Sequence, residues 1–287
     1  MILAHARAVR RYREHFQAKQ GGSIGIVLNG YWNEPLTTSE ADLAAQQRGL
    51  DWQFGWFADP IWSGDYPATM RRRCGPRLPS FTESEKQLVR GSSDFFGLNF
   101  YASAYVWALA GAEADALADD FHADKQIGDG PLDDWPRTDM GWPVVPWGLK
   151  HACEYIQRRY PATGGIIITE NGFAVEDDAL RTIYLRRYLA QLHKACQAGA
   201  DVRGYFVWSL LDNFEWQFGY AHRFGIVHVD YGTQARTPKG SAKFLATVCR
   251  ANALQITAKE LAASDFTPLD VEREVEEQRR KQAEAEP

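Results

Sequence analysis

Glu170 is the residue in this chain best placed to do chemistry. It stands in Thr169-Glu170-Asn171-Gly172, directly after the apolar run Gly165-Ile166-Ile167-Ile168. A short β-branched run reads as a buried parallel strand, apolar on both faces. The carboxylate then sits at the strand's C-terminal end, with Gly172 behind it to let the backbone turn sharply. In (β/α)8 barrels that rim is where catalytic groups are placed. A glutamate there can be a nucleophile, a general acid or a metal ligand, or it can make a rim salt bridge. A second cluster narrows the choice: Trp208-Ser209-Leu210-Leu211-Asp212-Asn213-Phe214-Glu215-Trp216 follows the next strand-like run. Carboxylate and indole together suit a neutral sugar, offering charged acceptors for hydroxyls and a flat face for the ring.

The elements that must position these groups are legible as alternating patterns. Residues 23–28, 94–98, 165–169 and 204–209 form short apolar runs, each followed by polar or aromatic residues. Helical patterns lie between them. One spans about 39–54 and opens on Ser39, a good N-cap. Another opens with the capping box Thr82-Glu83-Ser84-Glu85. Further helices are read at 147–159, 179–198 and 239–254, and residues 1–10 read as an amphipathic helix already under way. Strands alternating with helices predict an α/β fold, a parallel sheet covered by helices. Residues 102–140 show no clear period and read as a long functional loop. Residues 270–287 carry eleven charges in eighteen positions, a solvated helix or disordered tail. Residues 1–260 are thus read as one partial barrel and 261–287 as a charged C-terminal tail. Four strand–helix units make half of a closed barrel, which needs eight.

Composition excludes several classes. The chain has 287 residues with a formal net charge of −5, so it lacks the basic footprint of a nucleic-acid binder. No apolar run is long enough to span a membrane. Cys74, Cys153, Cys196 and Cys249 are too dispersed for metal-ligand spacing or a disulfide framework. They point to a reducing compartment and a cytoplasmic location; a leader would precede residue 1, so secretion stays open. Ten Trp, 12 Tyr and 15 Phe are enough for aromatic sugar platforms, and equally for a large core.

Here a resemblance emerges. The two clusters above resemble the β-glucosidases of glycoside hydrolase family 1. So do Arg223-Phe224-Gly225-Ile226-Val227-His228-Val229-Asp230-Tyr231, Gly55-Trp56-Phe57-Ala58-Asp59-Pro60 with Gly64-Asp65-Tyr66-Pro67, and Phe96-Gly97-Leu98-Asn99-Phe100-Tyr101. Five motifs stand in the family's order, across roughly residues 1–250. The resemblance implies a (β/α)8 TIM barrel and retaining hydrolysis of β-glucosides or β-galactosides, with no cofactor. In that mechanism two carboxylates about 5 Å apart share the work: one attacks the anomeric carbon, and the other protonates the leaving oxygen and later activates water. By position, Glu170 matches the nucleophile. Tyr101 matches the tyrosine that hydrogen-bonds it, an arrangement that favours the charged carboxylate. Asn99 matches a polar group near the sugar 2-hydroxyl. Trp208 and Trp216 match the platform and wall of the glycone site, Glu215 the carboxylate that accepts sugar hydroxyls, and Phe224 an aromatic lining it. Trp142 resembles the tryptophan on the aglycone side. Glu215 would repel a phosphate, so a 6-phosphorylated sugar is disfavoured.

One family feature has no match. The acid/base glutamate belongs to a Thr-Phe-Asn-Glu-Pro motif after the family's fourth strand. Asn33-Glu34-Pro35 follows Gly25-Ile26-Val27-Leu28-Asn29, which resembles the fifth strand, so Glu34 is read as a rim residue. The span from Glu34 to Glu170 is also shorter than the family leaves between its two glutamates. The chain therefore resembles the C-terminal part of the family, about strands five to eight. The glutamine and histidine that hold glycone hydroxyls go with the unmatched strands. Such a half-barrel would expose two strand edges and one core face, inviting self-association. Weak or absent activity in isolation is expected. A non-catalytic half-barrel with a sugar-binding or scaffolding role is the alternative, and a thioglucosidase-like variant a third reading.

Overall fold

A computed structural model describes residues 1–111, 121–131, 135–161 and 164–256. Its centre is a parallel four-stranded sheet: β1 (Ile26–Asn29), β3 (Phe96–Asn99), β6 (Ile166–Asn171) and β7 (Val202–Val207), in that spatial order. These are the four runs read from the sequence, with ends shifted by up to three residues. Every strand therefore ends at the same edge of the sheet, and Asn29, Asn99 and Glu170 come together there.

Helices cover one face only. Leu28, Phe96, Leu98, Ile166 and Ile168 are buried against the helices Pro146–Arg159 and Asp178–Gln197. The latter contributes Ile183, Tyr184, Leu185, Tyr188 and Leu192 to the same core. Asp177 caps it by accepting from the Ala179 amide, which satisfies an orphan N–H of the first turn. The opposite face is open: Val27 is 47 % and Phe206 61 % exposed. Gly97 and Gly204 lie between them, where an added Cβ would meet Val27 and Ile167. This open inner face is what half of a barrel leaves.

The Gly55–Pro60 motif is structural. Asp59 accepts from Arg159 Nη2 at 2.6 Å, Arg159 Nε at 3.0 Å and the Tyr160 hydroxyl at 2.6 Å. Arg159 also reaches Asp51 at 3.1 Å. This pins the helix Trp56–Ser63 to the C-terminal end of Pro146–Arg159. The helix expected over 39–54 keeps its Ser39 cap but runs Glu40–Leu50, then passes through a π-turn at Asp51–Gly55. The Thr82 capping box and the amphipathic helix Ile2–Tyr12 are present.

Residues 102–140 correct the sequence reading. They are not one loop: β4 (Ser103–Ala108), a short helix Phe121–Lys125 and β5 (Ile127–Gly130) are built from them. With β2 (Trp32–Pro35) they form a second sheet, β4 parallel to β2 and antiparallel to β5. The run Ala104-Tyr105-Val106-Trp107-Ala108 is apolar throughout, so no alternation betrays it. β5 holds two glycines and an aspartate, residues depleted in strands. Gly128 is required there, because an added Cβ would lie 2.2 Å from the Trp107 ring. A final hairpin joins β8 (Val227–Val229) to β9 (Arg236–Pro238) ahead of the helix Gly240–Ala251. The charged tail read at 261–287 lies outside the described residues.

Candidate active site

The strand ends open into a cleft of about 390 Å3, within the usual range of ligand pockets. Asn99, Tyr101, Trp142, Glu170, Trp208, Glu215, Trp216 and Phe224 all line it. These are the eight residues singled out in the sequence, drawn from five separate stretches of chain. Asn29, Met140, Gln217 and Phe218 line it as well and were not foreseen. Glu34 does not. It accepts from Trp32 Nε1 at 2.6 Å and lies near His151.

Glu170 owes its place to an irregularity. The register between β3 and β6 shifts after Leu98, so Asn99 pairs with Glu170 rather than with Thr169. The Phe100 amide then donates to the Glu170 carbonyl at 2.9 Å. Asn171, fully buried, donates to the Phe100 carbonyl and accepts from the Tyr205 hydroxyl, each at 2.8 Å. The backbone on both sides of Glu170 is therefore fixed. Gly172 serves packing rather than the sharp turn expected of it: an added Cβ would fall 1.6 Å from the Trp208 carbonyl oxygen. That close approach brings the Trp208 segment over the Glu170 segment.

The Tyr101 hydroxyl donates to Glu170 Oε2 at 2.5 Å. Burial pushes the Tyr101 phenol far above its usual range, and the Glu170 carboxylate adds to this, so the hydroxyl stays a donor. Tyr101 packs edge-on to Trp142, with centroids 5.6 Å apart, and to Phe224 at 6.2 Å. Thr169 Oγ1 donates to Asn99 Oδ1 at 2.7 Å, which leaves the Asn99 amide Nδ2 as a donor. Trp142 is set by a tight turn in which its amide and carbonyl both bond Thr138.

Across the cleft, Glu215 is buried and accepts from Trp208 Nε1 at 3.3 Å. Burial raises its carboxyl pKa. Trp208 and Asn213 partly offset that rise, and the nearby Glu170 charge adds to it. Trp216 stands 79 % exposed, a bare indole face at the cleft edge. The described residues contain no cluster of His, Cys, Asp or Glu able to hold a metal ion. They also contain no helix long and apolar enough to cross a membrane. The chemistry on offer is thus a hydrogen-bonded carboxylate facing a second carboxylate and an aromatic wall.

Comparison with known proteins decides the lineage. Residues 1–254 match the profile of Glycosyl hydrolase family 1. This chain belongs to that family. It is 40 % identical over 264 residues to Beta-glucosidase 4 of Oryza sativa subsp. japonica, covering 85 % of this chain and 53 % of the rice protein. The rice Os3BGlu6 β-glucosidase structure superposes with a TM-score of 0.81 at 38 % identity, over 89 % of this chain and 56 % of that one. A family 1 β-glucosidase from the fungus Humicola insolens, solved in complex with glucose, gives 0.80 at 37 % identity over 87 % and 55 %. The chain spans about half the length of the curated relatives it matches. Its open sheet is accordingly a partial (β/α)8 barrel.

Proposed function

We propose that this chain carries the nucleophile half of a retaining β-glucosidase, acting on terminal β-D-glucosyl or β-D-galactosyl residues. The observation that carries the reading is Glu170. It sits at a strand end, bonded by Tyr101, in the one cleft that also holds Glu215 and the Trp216 face. Glu170 attacks the anomeric carbon; Tyr101 holds the attacking oxygen in place; the Asn99 amide donates toward the 2-hydroxyl. Glu215 accepts from glycone hydroxyls while Trp208 and Trp216 take the ring's C–H face. Phe224 backs the glycone and Trp142 stands on the aglycone side. The relative in complex with glucose supports a neutral glycone, and the Glu215 charge disfavours a phosphorylated one.

Among the described residues that line the cleft, Glu170 and Glu215 are the only acids. Glu215 is engaged by Trp208, so no free carboxylic acid stands ready to protonate a leaving alkoxide. General acid help is typically worth about 100 to 10,000-fold. The chain alone should therefore turn over an aryl glucoside with a 2,4-dinitrophenolate leaving group, which needs no proton, far better than cellobiose. Glu170→Ala abolishes that reaction. Equal rates on both substrates, or full activity in Glu170→Ala, would refute the assignment.

The engagement of Glu215 by Trp208, which leaves no free general acid among the described cleft residues, and the open inner face also favour the alternative, a non-catalytic half-barrel that binds sugar. Sugar binding without any turnover of the activated substrate identifies that case.

A further inference from the structure

We infer that Asp212 is a positioning residue for the sugar-recognition side of the cleft, fixing where Glu215 and Phe224 stand. The inference rests on the hydrolase reading above. Asp212 has a side chain with no exposure and does not line the cleft. Its two oxygens are saturated. Oδ1 accepts from the Gly225 amide at 3.0 Å and from Lys239 Nζ at 3.2 Å. Oδ2 accepts from Arg223 Nη1 at 2.8 Å and from the Val229 amide at 3.2 Å. Burial pushes its carboxyl upward, but Arg223, Lys239 and the Val229 amide more than compensate, leaving it below the usual aspartate range.

The donors come from the segment that carries Phe224 and from the residue that opens the last helix. The acceptor lies three residues before Glu215. One carboxylate thus ties the stretch that carries Glu215 to the stretch that carries Phe224. Backbone bonds run between the same stretches: Ser209 to Phe224 at 3.2 Å, Ile226 to Ser209 at 2.9 Å and Asp212 to Val227 at 3.1 Å. Gly225 is forced by the close approach of the two backbones, since an added Cβ would lie 2.2 Å from the Asp212 amide nitrogen and 2.6 Å from Asp212 Oδ1.

Apolar burial cannot hold this segment. Leu210 is 64 %, Phe214 60 % and Trp216 79 % exposed. The Asp212 anchor acts beside these backbone bonds to order it. Buried charge-assisted hydrogen bonds are strong and directional, so they suit that task.

The test uses the whole chain and 2,4-dinitrophenyl 2-deoxy-2-fluoro-β-D-glucoside, with labelled protein followed by intact mass across inhibitor concentration. Asp212→Asn should raise the half-saturating concentration roughly 10- to 100-fold, as loss of alignment does. The limiting labelling rate should change little, because Glu170 and Tyr101 are untouched. In a Glu215→Ala background the same substitution should add almost nothing, since it acts through Glu215. A merely structural role would depress both parameters and remain additive. Should Asp212→Asn fail to fold, Arg223→Gln removes one cation and keeps the carboxylate; a smaller rise is expected. Labelling of the parent chain with unchanged half-saturation in the variants overturns the proposal alone. No labelling of the parent chain overturns the hydrolase reading and takes this proposal with it.

Discussion

Glu170 accepts a 2.5 Å hydrogen bond from Tyr101, whereas Glu215 accepts from Trp208 at 3.3 Å and is the more deeply buried acid. The difference fits the separate roles proposed for them. Tyr101→Phe removes a charge-assisted hydrogen bond without changing ring packing. It should slow hydrolysis of the dinitrophenyl glucoside roughly 10- to 100-fold with little change in fold, checked by steady-state rates beside circular dichroism. In the role proposed for it, Glu215 accepts from sugar hydroxyls most strongly when ionised. Its carboxyl is raised from the ordinary 4.5, mainly by burial, so protonation sets in at a higher pH than for a free glutamate. Glucose affinity, read by tryptophan fluorescence, should therefore fall as pH drops through that raised value, and Glu215→Gln should flatten the profile. A profile unchanged by Glu215→Gln would contradict this. The eight cleft residues were legible through the family resemblance: seven stand in its ordered motifs, and Trp142 is matched beside them. Asn29, Met140, Gln217 and Phe218 were not, because their types signal no chemistry and only topology brings them to the cleft.

The helices and strands were legible to different degrees, for physical reasons. β6 is a β-branched run with turn residues at its end, and nothing else competes for that pattern. The second sheet was missed because β4 is uniformly apolar and β5 is glycine-rich; tertiary packing of Trp107 on Gly128 overrides local preference there. The Gly55–Pro60 motif was legible as a motif, but its role as a clamp was not. Asp59 draws Arg159 and Tyr160 from 100 residues away, a contact that no local pattern encodes. Removing Asp59 takes the shared acceptor from the buried Tyr160 hydroxyl and leaves Arg159 with Asp51 as its one carboxylate. Asp59→Ala should cost about 3 kcal/mol, measured by urea unfolding, and a loss below about 1 kcal/mol would contradict the clamp.

The whole molecule is an open parallel arc with helices on its outer face, and its inner face carries Val27 and Phe206 uncovered. Among the described residues, strands β1 and β7 each have one neighbour, which leaves two sheet edges open to pairing. We propose that the isolated chain self-associates through this face. Sedimentation velocity should show oligomers at micromolar concentration, and Phe206→Ser should shift them toward monomer; a monodisperse monomer at all concentrations would contradict this. The half-barrel was foreseeable from the count of strand–helix units, whereas the extent of the open face required the structure. The central claim is that Glu170 is the nucleophile of a retaining glycosidase. The most direct measurement is peptide mapping of the chain after treatment with 2,4-dinitrophenyl 2-deoxy-2-fluoro-β-D-glucoside. A single fluoroglucosyl adduct on the peptide containing Glu170, absent from Glu170→Gln, is the predicted result. An unlabelled chain, or an adduct on any other residue, would contradict it.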